Sequence, residues 1–87
     1  MYVVIVYDIN VARVDKVRKF LKTYLEWVQN SVLEGNLTKS ELRKVKSKLN
    51  KIVKPSEDHV LIYSVSTEKY MKREEIGEGK GDTDTII

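Results

Sequence analysis

The heptapeptide Tyr2-Val-Val-Ile-Val-Tyr-Asp8 determines how the rest of this 87-residue chain must pack. Its β-branched and aromatic side chains follow no helical period, which predicts a strand. Both alternating sets of side chains are apolar, so we expect the strand to be buried at the centre of a sheet. Asp8 ends the apolar run, and a strand end is a place where a side chain can project from a rigid scaffold into a site.

Two amphipathic helices are predicted beyond this strand. The first covers residues 13–24, with Asn10 as its cap and an apolar stripe at helical spacing. The second begins at Thr38-Lys-Ser-Glu41, which matches the capping-box pattern, and ends before Pro55. The outer side of the first helix carries bases at a three-residue spacing: Arg13, Lys16, Lys19 and Lys22.

The remaining segments complete an α+β order. Residues 27–37 predict either two short strands joined around Asn30-Ser31 or one long bent strand with a bulge there. Residues 58–65 predict the next strand, and residues 68–73 a short turn or helical piece. The order strand, helix, strand, strand, helix, strand is that of a ferredoxin-like βαββαβ sandwich, which we expect over residues 1–73.

That fold leaves one face of its antiparallel sheet without a helix. Right-handed crossovers put both helices on the other face and place the first and last core strands side by side at the centre. One side of the first strand carries Tyr2, Val4, Val6 and Asp8, and the other carries Val3, Ile5 and Tyr7. Because both sides are mainly apolar, we expect a second copy of the chain to cover the bare face and form a homodimer.

The charge of the chain is unevenly distributed. Its formal net charge is +3, but residues 1–73 carry 15 bases against 8 acids, whereas residues 74–87 carry five acids and one base. A basic body favours a polyanionic partner such as nucleic acid, although solvated helix faces would give the same composition. Between residues 39 and 54 there are seven bases and one acid, and Arg43 is among these bases.

The acidic segment 74–87 forms a separate C-terminal unit in this interpretation. Its three glycines within five residues predict a mobile hinge, and residues 83–87 are β-prone. We expect this short strand to cross to the dimer partner and add to its sheet edge. A frayed end is the alternative.

Asp8 is the strongest candidate for chemistry. One carboxylate alone is a poor Mg²⁺ site, but a twofold dimer brings the same side chain from each copy together, which favours a divalent cation. From spacing alone, a turn or helix-capping residue is the alternative. His59, the single histidine, is predicted to be an edge residue without a paired ligand. The large aromatic residues are predicted to lie in the core rather than to stack on bases: Tyr7, Tyr24, Trp27 and Tyr63.

Several classes of function find no support in the composition. The chain has no cysteine, which excludes disulfides, thiolate zinc sites and cysteine nucleophiles. No serine or threonine has the histidine–acid arrangement of a serine hydrolase, and no glycine loop for phosphate binding precedes a helix. The apolar start is too short for a signal peptide or a membrane span, so we expect a cytoplasmic protein with no membrane partner.

The chain resembles a known family in three motifs. They are the strand Met1-Tyr-Val-Val-Ile-Val-Tyr-Asp-Ile9, the basic helix with Val17-Arg-Lys-Phe-Leu-Lys22, and Trp27-Val-Gln-Asn-Ser-Val-Leu-Glu-Gly35. Together they are similar to the small CRISPR-associated endoribonuclease that is also a subunit of the spacer-acquisition complex. Leu33 departs from the phenylalanine more usual after Ser-Val in that family.

The resemblance implies a ferredoxin-like homodimer whose C-terminal strand joins the partner's sheet. It implies that Asp8 is the magnesium ligand and catalytic residue, one from each protomer, with Ser31 near the cleft. Arg13 and Arg18 match the region of basic residues that contact nucleic acid, beside Lys16 and Lys19. We also expect Ser31 and Arg43 to contact nucleic acid. The expected partners are RNA or duplex DNA and the CRISPR integrase subunit. A non-catalytic adaptor, a stand-alone toxin-like ribonuclease and a small-ligand regulatory domain stay open as alternatives.

Overall fold

The computed structural model describes residues 1–66 and 71–77, in which two helices pack against one sheet. Each neighbouring pair of strands in the sheet is antiparallel, and the strand order is β2-β3-β1-β4-β5. The elements in chain order are β1 (Tyr2–Asp8), α1 (Val11–Lys22), β2 (Glu26–Gln29), β3 (Val32–Asn36), α2 (Lys39–Ile52), β4 (His59–Val65) and β5 (Met71–Ile76). The first six elements are the ferredoxin-like βαββαβ order predicted from the sequence, and β5 adds a strand beyond β4.

The core lies between the sheet and the two helices. β1 and β4 pair along seven residues at the centre of the sheet, as the hydrophobicity of these two strands predicted. The inward side chains of β1 are fully or almost fully buried, and both helices contribute their apolar stripes. The buried residues of these elements are Val3, Ile5 and Tyr7 of β1, Val17 and Leu21 of α1, and Leu42, Val45 and Leu49 of α2.

Both helices begin with the caps that the sequence predicted. The Asn10 side chain accepts a hydrogen bond from the backbone N–H of Ala12, so α1 starts at Val11, two residues earlier than expected. In the capping box of α2, the Glu41 backbone N–H donates to the Thr38 hydroxyl at 3.0 Å, and the Thr38 N–H donates to the Glu41 carboxylate at 2.9 Å. Each of these two hydrogen bonds satisfies a backbone N–H that has no partner within the helix.

β2 and β3 form a hairpin, which confirms the two-strand alternative for residues 27–37. The turn includes Asn30, whose φ of 43° lies in the left-handed region that asparagine tolerates better than most residues. The pairing of the two strands shifts register between Trp27 and Gln29. The hairpin tip lies beside the end of β1, where the Tyr7 N–H donates to the Ser31 carbonyl at 3.0 Å.

The prediction of a turn or helical piece over residues 68–73 is wrong for its described part. Met71–Ile76 is extended and pairs with β4 from Val65↔Met71 to Val60↔Ile76. Its charged residues hid the strand signal, because an edge strand with solvated side chains shows no apolar alternation. β5 also continues past residue 73, where the sequence placed the boundary between the domain and its acidic tail; that division stays a prediction.

Gly77 is needed for close packing rather than for a hinge alone. Its φ is +96°, and a Cβ added there would lie 2.1 Å from the Asp58 carbonyl oxygen. Any side chain would therefore push the end of β5 away from the start of β4. The other glycines of the predicted hinge and the predicted exchanging strand at 83–87 lie outside the described residues.

Within residues 1–66 and 71–77, the second face of the sheet carries no helix, as predicted. Val4 and Val6 are partly buried there, while Tyr2 is 39% exposed and Asp8 is exposed. Across the sheet, Leu61 of β4 lies opposite Val6 and is fully buried. We call this surface the bare face. None of the helices in the described ranges is long and apolar enough to cross a membrane.

Candidate functional site

Asp8 stands at the open end of β1 on the bare face. It lies opposite His59 in the sheet register, and its side chain is exposed. Within residues 1–66 and 71–77, no hydrogen bond or ion pair engages its carboxylate. The hard carboxylate oxygens suit a magnesium ion, and nothing in the described protomer competes for them.

A complete metal site is not formed by the described residues of one protomer. Among them, no three acidic, histidine or cysteine side chains cluster closely enough to hold a metal ion. The donor set therefore fits Mg²⁺ in chemistry but supplies one protein ligand, since the ion normally takes one or two carboxylates with water and substrate oxygens. Ser31 lies at the same end of the sheet, because its carbonyl bonds the residue before Asp8.

Asp58 lies just before β4 and is the polar centre of this end of the molecule, a role that the sequence analysis missed. It is 2% exposed, and its carboxylate accepts from the Asn10 N–H at 2.8 Å and from the Lys54 N–H at 2.8 Å. The Arg13 guanidinium completes the set, with Nε 2.7 Å from Oδ2 and Nη2 3.1 Å from Oδ1.

The balance of effects on Asp58 favours the ionised form. Burial by itself raises the pKa of this carboxyl, but the hydrogen bonds from Arg13, Asn10 and Lys54 outweigh burial and hold the pKa at about 2. These bonds join the start of α1 to the end of the α2–β4 connection. No local sequence pattern signals such a residue, because its partner Arg13 is 45 positions away.

Arg13, predicted to contact nucleic acid, is engaged inside the protomer. Besides Asp58, its Nη2 donates to Glu57 Oε1 at 2.7 Å, and these bonds raise the pKa of the guanidinium. Its side chain is 22% exposed. The structure therefore gives Arg13 a positioning role for α1; contact of this residue with nucleic acid stays a prediction.

The other predicted basic residues of α1 face solvent. Lys16 and Lys19 are exposed, and Arg18 makes an ion pair with Asp15 at 2.7 Å. Because the Arg18 and Asp15 side chains are 44% and 73% exposed, this pair is easily exchanged for another anion. The exposed side of α1 thus keeps the basic character that the sequence predicted.

Arg43 belongs to a second basic surface at α2. It lines a cleft of about 290 Å³ between the helix and the outer strands. The charged residues around this cleft are Lys39, Arg43, Lys46, Lys72 and Glu74. Glu74 is paired with Lys46 at 2.9 Å, so the cleft keeps a net positive charge.

Two predictions about individual side chains are wrong. His59 is not an edge residue: it is 4% exposed, because β5 continues the sheet beyond β4, and its Nε2 lies 2.5 Å from Glu75 Oε2. This hydrogen bond lowers the pKa of Glu75. Trp27 is not a core residue: it is 52% exposed on the edge strand β2. Tyr7, in contrast, is in the core as predicted.

The fold and motifs correspond to one protein family. The family described as "CRISPR associated protein Cas2" matches residues 1–73. The chain belongs to the Cas2 family. This confirms the resemblance found in the sequence motifs around Asp8, the basic helix and the β2–β3 hairpin.

Relatives in the Cas2 family match the chain over its whole length. A "CRISPR-associated endoribonuclease Cas2" of Methanosarcina acetivorans is 54% identical, with 100% of both chains covered. The relative of the same description in Methanocaldococcus jannaschii is 47% identical over 100% of this chain and 76% of its own length. A solved structure titled "Crystal structure of cas2" has a TM-score of 0.69 and 43% identity, and the match covers 100% of this chain and 98% of that one.

Proposed function

We propose that this Cas2 protein is a homodimeric, magnesium-dependent endonuclease that cleaves phosphodiester bonds of RNA or duplex DNA. The observation that carries the proposal is Asp8, which is exposed at the end of a rigid central strand with no partner for its carboxylate in the described residues. Binding and catalytic residues are often placed where a rigid scaffold meets a loop, and Asp8 has this position at the end of β1. Asn10, rather than Asp8, caps α1, which removes the capping alternative for Asp8.

The bare face supports a dimer that would supply a second Asp8. Val4 and Val6 of β1 lie on the same side as Asp8, and this side has no helix in the described residues. Packing two such faces together buries apolar surface, and a twofold axis near the end of β1 brings the two carboxylates together. Their mutual repulsion is relieved by a divalent cation between them.

In this proposal, Asp8 of each protomer would hold the ion by its carboxylate oxygens. When bound, Mg²⁺ supplies charge stabilisation at the scissile phosphate and a more acidic bound water. The chain's own task is to keep Asp8 in place, and β1 does so because five of its residues pair with β3 and all seven with β4. Asp58 and its hydrogen-bond donors Arg13 and Lys54 form what we call the Asp58 cluster. The Asp58 carboxylate also accepts from the Asn10 N–H, which holds the connection between β1 and α1 in place.

Two basic surfaces would bind the nucleic-acid backbone. One is the exposed side of α1 with Lys16, Arg18 and Lys19, and the other is the cleft of α2 with Arg43. Lysine and arginine contacts to phosphates give affinity without sequence preference, and that affinity falls steeply as salt rises.

We further propose that the dimer acts in spacer acquisition, where it bridges copies of the CRISPR integrase subunit. Membership of the Cas2 family and the basic surfaces for duplex DNA support this role. A stand-alone ribonuclease of the same fold is the alternative. Capture of the integrase subunit from a mixture of the two purified proteins separates them, because the stand-alone enzyme would not retain it.

The nuclease proposal is tested by cleavage of labelled RNA and duplex DNA at increasing Mg²⁺, with wild type and Asp8→Asn. We expect cleavage by the wild type to require the metal and to stop with EDTA, and we expect the variant to be inactive. Wild type and variant are then mixed after dissociation. If both protomers contribute Asp8 to one metal, mixed dimers are inactive, so activity falls with the square of the wild-type fraction.

Other results would reject specific parts of the proposal. A linear fall in activity on mixing means that each protomer acts alone. Metal-independent cleavage, or full activity of Asp8→Asn, removes Asp8 from the mechanism. Spacer acquisition that persists with Asp8→Asn while cleavage is lost would restrict the protein's role in that process to binding.

A further inference from the structure

Trp27 is a large aromatic side chain that the fold leaves in water. It is 52% exposed, although the chain has only one tryptophan and an 87-residue domain gains much from burying it. Trp27 lies opposite Leu33 in the register of β2 and β3, and Leu33 is a fully buried core residue under the helices. Trp27 is therefore on the helix side of the sheet, away from the bare face that the proposed dimer would cover.

The indole is held in one orientation by the hairpin turn. Its Nε1–H donates to the Asn30 carbonyl at 2.9 Å, which ties the ring to the residue with left-handed φ. The bond joins residues only three positions apart, next to the shift in register between Trp27 and Gln29. A ring that is already positioned loses little conformational entropy when a ligand packs on it.

Cations flank the ring on its exposed side. Trp27 and Asn30 line an open cleft of about 460 Å³ together with Arg18 and Lys22 of α1. This volume lies in the range of small-molecule sites, roughly 300–1,000 Å³. Arg18 and Lys22 are four residues apart and lie on the same side of the helix. Among the residues that the structure describes, no acid lines this cleft.

We propose that Trp27, Arg18 and Lys22 form a binding site for an unpaired nucleotide of single-stranded RNA or DNA. The base stacks on the indole, and the adjoining phosphates contact the two cations. Stacking on an aromatic ring accepts any base, whereas bases inside a duplex have no free face to offer. The site rests on the proposed function in one respect, that the protein binds nucleic acid. Binding at this site needs neither Asp8 nor a metal ion.

The charge of the cleft that Trp27 shares with α1 favours nucleic acid over a protein partner as its occupant, whereas a second cleft that Trp27 also borders carries Glu26 and Glu34. An exposed tryptophan is also typical of protein interfaces. Here, however, both charged residues in the cleft are cations, and the ion pair of Arg18 with Asp15 is exposed and weak. A phosphodiester chain can displace such a pair and gain two charge-assisted contacts.

The single tryptophan allows a direct test by intrinsic fluorescence. The full-length protein is titrated in EDTA with a labelled single strand of about 16 nucleotides, a blunt duplex of equal total charge, and heparin. We expect the single strand to quench Trp27 emission, and we expect the duplex and heparin to bind without comparable quenching. DNA and RNA strands are compared to determine which is preferred.

Substitutions then separate stacking from charge. We expect Trp27→Ala to weaken single-strand binding about tenfold and leave duplex binding unchanged, and Trp27→Phe to retain most of the affinity. The combined variant Arg18→Gln and Lys22→Gln should weaken binding and flatten its dependence on salt. Val28→Ala is the matched control on the same exposed strand, and its affinity should equal that of the wild type.

Three results would overturn the stacking site. If the strand binds by anisotropy but neither quenches Trp27 nor responds to Trp27→Ala, the site fails and nucleic-acid binding stands. If no polynucleotide binds at all, both the site and the proposed function fail. If Trp27→Ala changes only dimer formation or capture of the integrase subunit, Trp27 is a protein contact. Trp27→Phe keeps the test valid if Trp27→Ala does not fold.

Discussion

Two aspartates at the same end of the sheet have opposite surroundings. Asp58, just before β4, is buried and accepts hydrogen bonds from Asn10, Lys54 and Arg13. Asp8 lies opposite the next residue, His59, and is exposed with no partner among the described residues. A carboxylate whose oxygens are all engaged within the protein maintains structure, whereas one held on a rigid strand with its oxygens free can take a ligand. We therefore expect the two residues to fail in different ways when each is changed to asparagine.

The largest effect should follow Asp8→Asn, and it should be a loss of activity without a loss of stability. Asparagine keeps the size of the side chain but removes the charge that would hold Mg²⁺, so we expect phosphodiester cleavage to fall by at least about 100-fold. The unfolding midpoint at equal protein concentration should not fall below that of the wild type, because the carboxylate makes no described contact in the protomer and the change removes the repulsion between the two Asp8 side chains of the proposed dimer. Cleavage rate and urea unfolding of the same preparation measure both. A marked loss of stability would show that Asp8 is structural.

Asp58→Asn should give the reverse result. The amide cannot accept from every donor around it, and the Arg13 guanidinium loses its buried counterion. We expect the free energy of unfolding to fall by about 3 kcal/mol, the usual cost of breaking a buried ion pair from one side. Urea unfolding measures this loss, and cleavage is assayed at a temperature where the variant is folded. Retained stability would mean that the Asp58 cluster does not hold α1 to β4.

Acid should remove the stabilisation by Asp58. Its pKa is about 2 in the folded chain against an ordinary value of 3.8, so the folded state favours the ionised carboxylate. A lowered pKa stabilises the fold above about pH 4, and that stabilisation, on the order of 2 kcal/mol, is lost as the pH falls toward about 2. This loss is checked by urea unfolding of the wild type and of Asp58→Asn, once above about pH 4 and once near about pH 2. The difference between the two proteins should shrink in acid, and a constant difference would contradict the role of ionisation.

The smallest effect should come from a second ion pair of α1. The ion pair of Arg18 with Asp15 is as short as that of Arg13 with Asp58, at 2.7 Å. The side chains of Arg18 and Asp15 are both exposed to water, however, whereas that of Asp58 is fully buried. Exposed pairs contribute little because water and salt screen the charges. We expect Asp15→Asn to leave the unfolding midpoint within experimental error and to strengthen nucleic-acid binding slightly by freeing Arg18. A large loss of stability would show that burial is not what distinguishes the two pairs.

Much of this fold follows from local patterns in the sequence. The apolar run of β1, the capping box at Thr38–Glu41 and the helical stripes of α1 and α2 each predict their element without reference to the rest of the chain. These signals are local because a strand or a helix repeats its own geometry every two or 3.6 residues. The ferredoxin-like order, the neighbouring places of β1 and β4, and the bare face then follow from general rules of connection.

The misjudged residues share a dependence on distant parts of the chain. β5 has charged side chains and is a strand because β4 offers it an edge. His59 is buried because β5 covers it, and Trp27 is exposed on β2, the edge strand of the sheet. Arg13 looked like part of a basic surface, yet it meets Asp58 across 45 residues.

The sequence by itself determined β1 to β4 and the two helices, their ferredoxin-like order, and the Cas2 family motifs around Asp8, but it did not reveal the edge strand β5. The tertiary structure alone decided which acid is buried and which is free, which arginine is paired inside, and which aromatic ring faces water. The physical reason is that backbone geometry and hydrophobic periodicity act between near neighbours in the chain. The burial and pairing of a charge depend on residues that only folding brings together.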